Sequence, residues 1–174
     1  MRILILLVSL LTFQTINAQW VESSMASCED LAFNRKVNKL LNYSVDVISV
    51  QQLKDSIDNY LVLDTREFEE YAISHIPGAA FFGYNSPKWE SLESISKDQK
   101  IVVYCSVGYR SEKIGEKLIR KGFQNVSNLY GSIFEWANQG YPIEDPRGRR
   151  TNEVHTYNKK WSKWLSNEDY KSIY

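Results

Sequence analysis

The sequence predicts an α/β protein with a mainly parallel central sheet flanked by helices. Three observations predict it. Short apolar runs alternate with segments of helical spacing through the middle of the chain. The runs Tyr60–Leu63 and Ile101–Tyr104 are nearly continuous in apolar residues, as expected of parallel strands covered on both faces. The second run passes through a tight turn straight into a helical pattern, in the order strand, turn, helix N-terminus.

Taken in order, Cys28–Leu41 has Leu31, Val37, Leu40 and Leu41 spaced among charges, which predicts an amphipathic helix ending near Asn42. Val45–Ser49 alternates and reads as an edge strand. Ser49 caps a short helix, VQQLKDSID, with Val50, Leu53 and Ile57 on one face. Strand Tyr60–Leu63 follows, ending at Asp64. Glu67–Ile73 is a short acidic helix whose adjacent Glu69 and Glu70 point in different directions and are assigned to a solvated face. His75 opens a rigid Ile76-Pro77-Gly78 turn into strand Ala79–Phe82, and its expected role is hydrogen bonding within that turn. Pro87–Ile95 reads as a helix, and Ser96–Lys100 links it to the strand Ile101–Tyr104. Ser111–Lys121 is the helix behind that strand, with Ile114, Leu118 and Ile119 toward the sheet and Gly122 as its stop. Val126–Leu129 is the last strand, and Ser132–Asn138 a short helix that buries Phe134 and Trp136.

The length, 174 residues, suits one domain with extensions, and 43% hydrophobic against 24% charged residues excludes a disordered chain. Lys plus Arg equals Asp plus Glu at 21 each, which gives no electrostatic footprint for nucleic acid. Residues 1–18 read as a cleaved export signal: Arg2 precedes the apolar Ile3–Phe13, and Ile16-Asn17-Ala18 is the cleavage site. The apolar run is too short to span a bilayer stably, so the expected location is periplasmic or secreted. Lipid anchoring at Cys28 is disfavoured, because polar residues including Glu22 separate it from the apolar run. The expected organisation is a signal at 1–18, a helical extension at 19–44, a core domain at 45–143 and an aromatic-rich extension at 144–174. In the last, Trp161, Trp164 and Leu165 have helical spacing and suit docking either on the domain or on a partner protein.

The chemistry concentrates in Ile101–Ser111, IVVYCSVGYRS. Cys105 ends the strand, Arg110 lies just beyond Gly108, and Ser111 opens the helical segment. This succession sets the sulfur over backbone N–H groups at a helix N-terminus, where an anion is favoured and the thiol pKa falls. Arg110 adds a charge that does not titrate away, and Gly108 allows the positive φ that a closed cradle needs. The bland alternative is a buried core cysteine, the usual fate of a lone Cys. Asp64 and Arg66 lie at the same strand ends, and a salt bridge that stabilises the turn is their expected role. Cys28 is either a resolving thiol for Cys105 or a bystander. The scattered His and Cys lack metal-ligand spacing, and no Gly-rich nucleotide loop follows a strand.

Four ordered segments carry a family resemblance: Leu61–Arg66, Ser74-His75-Ile76-Pro77-Gly78-Ala79, Cys105–Ser111, and Tyr130-Gly131-Ser132 with Trp136 and Gly140-Tyr141-Pro142. Over about Val45–Ile143 the chain resembles single-domain rhodanese-like sulfurtransferases, with Ser74 standing where the family has Gly. The resemblance implies a three-layer fold and an activity without cofactor. Cys105 would take sulfane sulfur from a small donor such as thiosulfate and pass it as a persulfide to a thiol or cyanide. Arg110 would orient the donor, and Ser106, Val107, Gly108, Tyr109 and Ser111 would form the binding loop, with Asp64 and Arg66 in support. Two rivals stand beside this reading. A cysteine phosphatase would need C-x5-R, whereas four residues separate Cys105 from Arg110. A non-catalytic or persulfide-carrier module fed by a specific partner fits the apolar Val107 beside a single Arg, which makes a weakly positive pocket for thiosulfate.

Overall fold

In the computed structural model, which describes residues 26–174, helices and strands alternate through the core. The expected signal at 1–18 lies outside the described residues. In chain order the core elements are α1 (Leu31–Asn38), β1 (Asp46–Ile48), α2 (Val50–Ser56), β2 (Leu61–Asp64), α3 (Phe68–Ile73), β3 (Ala80–Phe81), β4 (Lys100–Tyr104), α4 (Tyr109–Arg120), β5 (Asn125–Leu129) and α5 (Ser132–Asn138). The five strands form one sheet in the order β1-β5-β4-β2-β3 with every pairing parallel. Among the described residues, no helix is long and apolar enough to cross a membrane.

β4 shows why the sheet sits at the centre. Val102 and Tyr104 point into a core on one face with Phe33 and Val37 of α1, Leu53 of α2, and Ile133 and Phe134 of α5. Ile101 and Val103 point the other way, onto Ile114 and Leu118 of α4, with Phe82 and Phe123. Alternating side chains that are apolar on both faces require cover on both faces, hence the three layers. The predicted cap Ser49 closes a reciprocal capping box with Gln52 at the start of α2.

Four expectations are corrected. The first helix contracts to Leu31–Asn38, because the Asp30 side chain accepts the Phe33 N–H and so caps it there. The helix expected at Pro87–Ile95 is only a 3-10 turn, Trp89–Leu92; within it Leu92 alone is buried, which is too little apolar surface to hold a longer helix. Ile119 is 44% exposed rather than facing the sheet. At 100° per residue it stands well round the cylinder from Ile114 and Leu118. The helix behind β4 starts at Tyr109, earlier than Ser111, because Gly108 at φ 115° turns the chain directly into it.

The segment 144–174 packs on its own domain. β6 (Ile143–Glu144) pairs antiparallel with β7 (Arg150–Thr151), and β8 (Glu153–His155) pairs parallel with β9 (Lys171–Ile173), α6 (Lys159–Ser162) lying between β8 and β9 in the chain. Val154 is fully buried. The Trp164 ring lies 5.7 Å from that of Phe33. The Tyr170 hydroxyl donates to the Tyr141 carbonyl at 2.6 Å. Trp161, Trp164 and Leu165 pack against the domain's own core.

Candidate active site

Cys105 sits one residue past β4, and the turn that follows is shaped by contacts on both flanks. The N–H groups of Ile133 and Phe134, in the first turn of α5, donate to the Cys105 and Ser106 carbonyls, each at 3.3 Å. These are donors that a helix start leaves without intrahelical partners. With the carbonyls held there, the turn presents N–H groups to the sulfur: Gly108 N–H donates to Cys105 Sγ at 3.2 Å. The Cys105 N–H itself donates to Ser132 Oγ at 3.2 Å. Asn128 of β5 donates to the Gly108 carbonyl at 3.0 Å, and the Ser111 hydroxyl stands 2.7 Å from Asn128 Oδ1. The cradle is therefore tied to β5, α4 and α5 at once.

Cys105 is 1% exposed, and burial pushes its pKa up. The Arg110 charge, the N–H and hydroxyl of Ser111 and the Val107 N–H outweigh that burial, and the net direction is down. The lowered thiol pKa expected from the loop sequence has its physical cause in these groups.

Arg110 is held by a residue that the sequence reading placed on a solvated face. Its Nη1 donates to Glu70 Oε2 at 2.7 Å and its Nη2 to Glu70 Oε1 at 2.8 Å, a bidentate pair. Glu70 is 3% exposed, so the solvated assignment is wrong. Burial raises its pKa, but the hydrogen bonds and charge of Arg110 carry the net shift downward, and the carboxylate stays ionised. Ser106 Oγ accepts from Arg110 Nη2 at 3.0 Å, completing a Ser106–Arg110–Glu70 triangle. Nothing local signals this. Phe68 of the same helix is 57% exposed while Glu70 is buried, the reverse of apolar patterning, because the partner of Glu70 lies 40 residues away.

Asp64 and Arg66 form the expected internal pair. Arg66 Nη2 donates to Asp64 Oδ2 at 2.6 Å with both side chains fully buried, and the same Nη2 donates to the Ser74 carbonyl at 2.6 Å. The Tyr104 hydroxyl donates to Asp64 Oδ2 at 2.7 Å, tying the pair to the end of β4. Neither residue lines the cavity beside Cys105. His75 also takes its expected structural place, its ring stacked on Tyr71 at 4.0 Å and its backbone bridged to Glu144.

A cavity of about 320 Å³ opens at Cys105, lined by Leu40, Tyr84, Ser106, Val107, Tyr109, Arg110, Tyr157 and Trp161. Of the expected loop residues, Ser106, Val107 and Tyr109 line it, while Gly108 and Ser111 shape the turn behind it. Tyr157 and Trp161 were not foreseen at the site. Trp161 was expected to dock, though nothing in the tail said against what, and Tyr157, 56% exposed, carried no local signal. Arg110 lies 5.4 Å from the Tyr157 ring centre. Cys28 is free, 4% exposed and outside the cavity lining, with its sulfur packed beside Gly131 and Glu135. Burial and then the Glu135 carboxylate hold its thiol protonated.

Comparison with known proteins places this geometry. The rhodanese-like domain profile matches residues 49–139, just over half of the chain. A sulfurtransferase of Allochromatium vinosum is 34% identical over 104 residues, covering 60% of this chain and 96% of that protein. A tRNA uridine(34) hydroxylase of Streptococcus thermophilus is 32% identical over 116 residues, covering 63% of this chain but only 35% of its own length. Among solved structures, the rhodanese-like domain of the Anabaena protein Alr3790 is similar at a TM-score of 0.54, with 26% identity over 60% of this chain and 83% of that one. The thiosulfate sulfurtransferase of Pseudomonas aeruginosa shares the fold at a TM-score of 0.53, with 20% identity over 70% of this chain and 23% of that one. The parallel sheet, the cysteine turn after its central strand and the matched profile agree: the chain belongs to the rhodanese-like domain family.

Proposed function

We propose that the protein is a sulfurtransferase that carries sulfane sulfur as a persulfide on Cys105. The observation that carries this reading is the Cys105 thiol, its pKa lowered within a turn of N–H groups and open to a cavity. The thiolate attacks the outer sulfur of the donor, the donor's S–S bond breaks, and its electron pair leaves with the inner sulfur. With thiosulfate the products are Cys105 persulfide and sulfite. A nucleophilic acceptor, cyanide or a thiol, then takes the outer sulfur and returns the thiolate. The N–H groups that hold the thiolate serve the anionic persulfide as well. The similarity to the Allochromatium vinosum sulfurtransferase along nearly its whole length supports this reading. The substrate named for the hydroxylases is not carried over, because the chain spans about a third of the first of those relatives.

The test is mass spectrometry of the reduced, desalted protein after exposure to sulfane-sulfur donors. The expected result is one added sulfur atom on the Cys105 peptide, released as thiocyanate by cyanide and absent in Cys105→Ser. Sulfur transfer by Cys105→Ser at the wild-type rate overturns the mechanism. Export belongs to the same proposal and rests on the pattern of residues 1–18. Cell fractionation checks it, and a full-length cytoplasmic product would sink it.

A further inference from the structure

On the reading that Cys105 carries sulfur, we propose that the donor is an organic persulfide with an uncharged aliphatic or aromatic body, selected by the C-terminal extension. Two observations carry this. First, among the described residues that line the cavity, Arg110 is the one charged side chain, and both arms of its guanidinium are engaged by Glu70. A small inorganic dianion would meet the sulfur there with the cation of the lining already paired. Second, the wall facing Cys105 is apolar and aromatic, formed by Leu40, Tyr84, Val107, Tyr109, Tyr157 and Trp161. The volume, about 320 Å³, falls at the small end of the range of organic-ligand sites. It is far more than a single sulfane sulfur atom needs.

Tyr157 and Trp161 lie beyond the matched segment 49–139, so this part of the wall belongs to the extension. It is held in place. Tyr157 adopts φ 65°, a left-handed conformation that persists only where the surroundings over-determine it. Its N–H donates to His155 Nδ1 at 3.1 Å, next to the fully buried Val154. Asn158 caps the turn that carries Trp161, and Lys36 of α1 lies 5.3 Å from the Trp161 ring centre. In the transfer, Cys105 thiolate attacks the outer sulfur of R–S–SH, the S–S bond breaks, and R–S⁻ leaves with the electron pair. The proton stays on the transferred sulfur, which ends as Cys105–S–SH. One thiolate enters and one leaves, so no oxidant or reductant is required.

The experiment follows persulfide formation on Cys105 of the full chain with thiosulfate and with a series of alkyl persulfides from methyl to hexyl. Reactivity at sulfur changes little along the series, so its slope reads contacts with the wall. The expected result is a kcat/KM that rises about two- to threefold per methylene and exceeds that of thiosulfate at the long end. Tyr157→Ser and Trp161→Ser should each lower the hexyl-to-methyl ratio about tenfold. A flat series in the wild type, which depends on no variant folding, overturns the proposal, as does a full slope in both folded variants. Labelling of Cys105 by thiosulfate with no chain-length dependence removes only the selectivity. Failure of every donor to label Cys105 removes the sulfur-carrier reading and this inference together.

Discussion

At the scale of residues, the candidate site is the Cys105 thiol beside the Glu70–Arg110 ion pair, with the buried Asp64–Arg66 pair behind it. Because Arg110 and the turn N–H groups hold the Cys105 pKa down, its alkylation should reach half its maximal rate below the ordinary thiol value of about 8.5. Arg110→Ala should move that midpoint upward, and iodoacetamide kinetics against pH checks both. The folded pKa of Glu70 is depressed, so its contribution to stability is present above the ordinary Glu value of about 4.3 and is lost as pH falls through the depressed value. Glu70→Gln should therefore cost roughly 3 kcal/mol at pH 7, where it leaves the guanidinium without its charge partner, and less at an acid pH below the depressed value of the Glu70 carboxyl. Urea unfolding at the two pH values measures the difference. The same substitution frees Arg110, so the use of thiosulfate relative to alkyl persulfides should rise.

At the scale of elements, function depends on how β4 hands the chain to α4 and how β5 hands it to α5. Both transitions pass through glycines in the left-handed region, Gly108 at φ 115° and Gly131 at φ 70°. A Cβ at Gly131 would stand 2.6 Å from Glu135 Cβ and 2.8 Å from Cys28 Sγ. Gly131→Ala should therefore destabilise the protein by about 2–4 kcal/mol from backbone strain and overpacking together, read from thermal and urea unfolding. A Cβ at Gly108 meets Leu41 Cδ2 at 3.3 Å, with Asn128 Nδ2 and the Leu129 carbonyl oxygen farther out in ordinary contact, so the cost there is mainly conformational. Gly108→Ala should cost about 1–3 kcal/mol and also raise the Cys105 pKa, because the Gly108 N–H that donates to Sγ moves with the turn. A loss of stability without that rise would show that the turn does not tune the thiol.

At the scale of the molecule, both ends of the described chain are built into the core. Phe33 and Val37 from α1 and Val154 from β8 are buried in the same apolar cluster, and Trp161, Trp164 and Leu165 pack against it. Deleting residues 153–174 should cost several kcal/mol, at about 1.5–3 kcal/mol for each large apolar side chain uncovered, a large part of a typical 5–15 kcal/mol. Thermal unfolding followed by circular dichroism measures it, and an unchanged Tm would mean that the extension is a loosely attached appendage. The two thiols should also separate cleanly. Native protein should alkylate at Cys105 through its cavity, and Cys28, sealed against Glu135 and Gly131, only after unfolding. Peptide mapping decides this, and rapid native labelling of Cys28 would reopen its role as a resolving thiol.

The sequence by itself determined the layered α/β fold, the order of the core strands along the chain and the central turn, because each is written in contiguous residues. Apolar runs mark strands that are buried on both faces, and Cys105, Gly108 and Arg110 fall within one strand-turn-helix step. Asp64 and Arg66 were legible as a pair for the same reason, being two residues apart. The tertiary structure alone decided what Arg110 holds and what the aromatic tail covers. Periodicity says which side of an element is buried but not against what, and an acidic residue in a short helix reads as solvated unless its cation is brought to it. Glu70 meets Arg110 across 40 residues, and Tyr157 meets it across 47, because α3, which carries Glu70, packs against β8 beside the turn that follows β4. That packing turned a loop able to hold an anion into a site whose Arg110 is already paired and whose far wall is apolar.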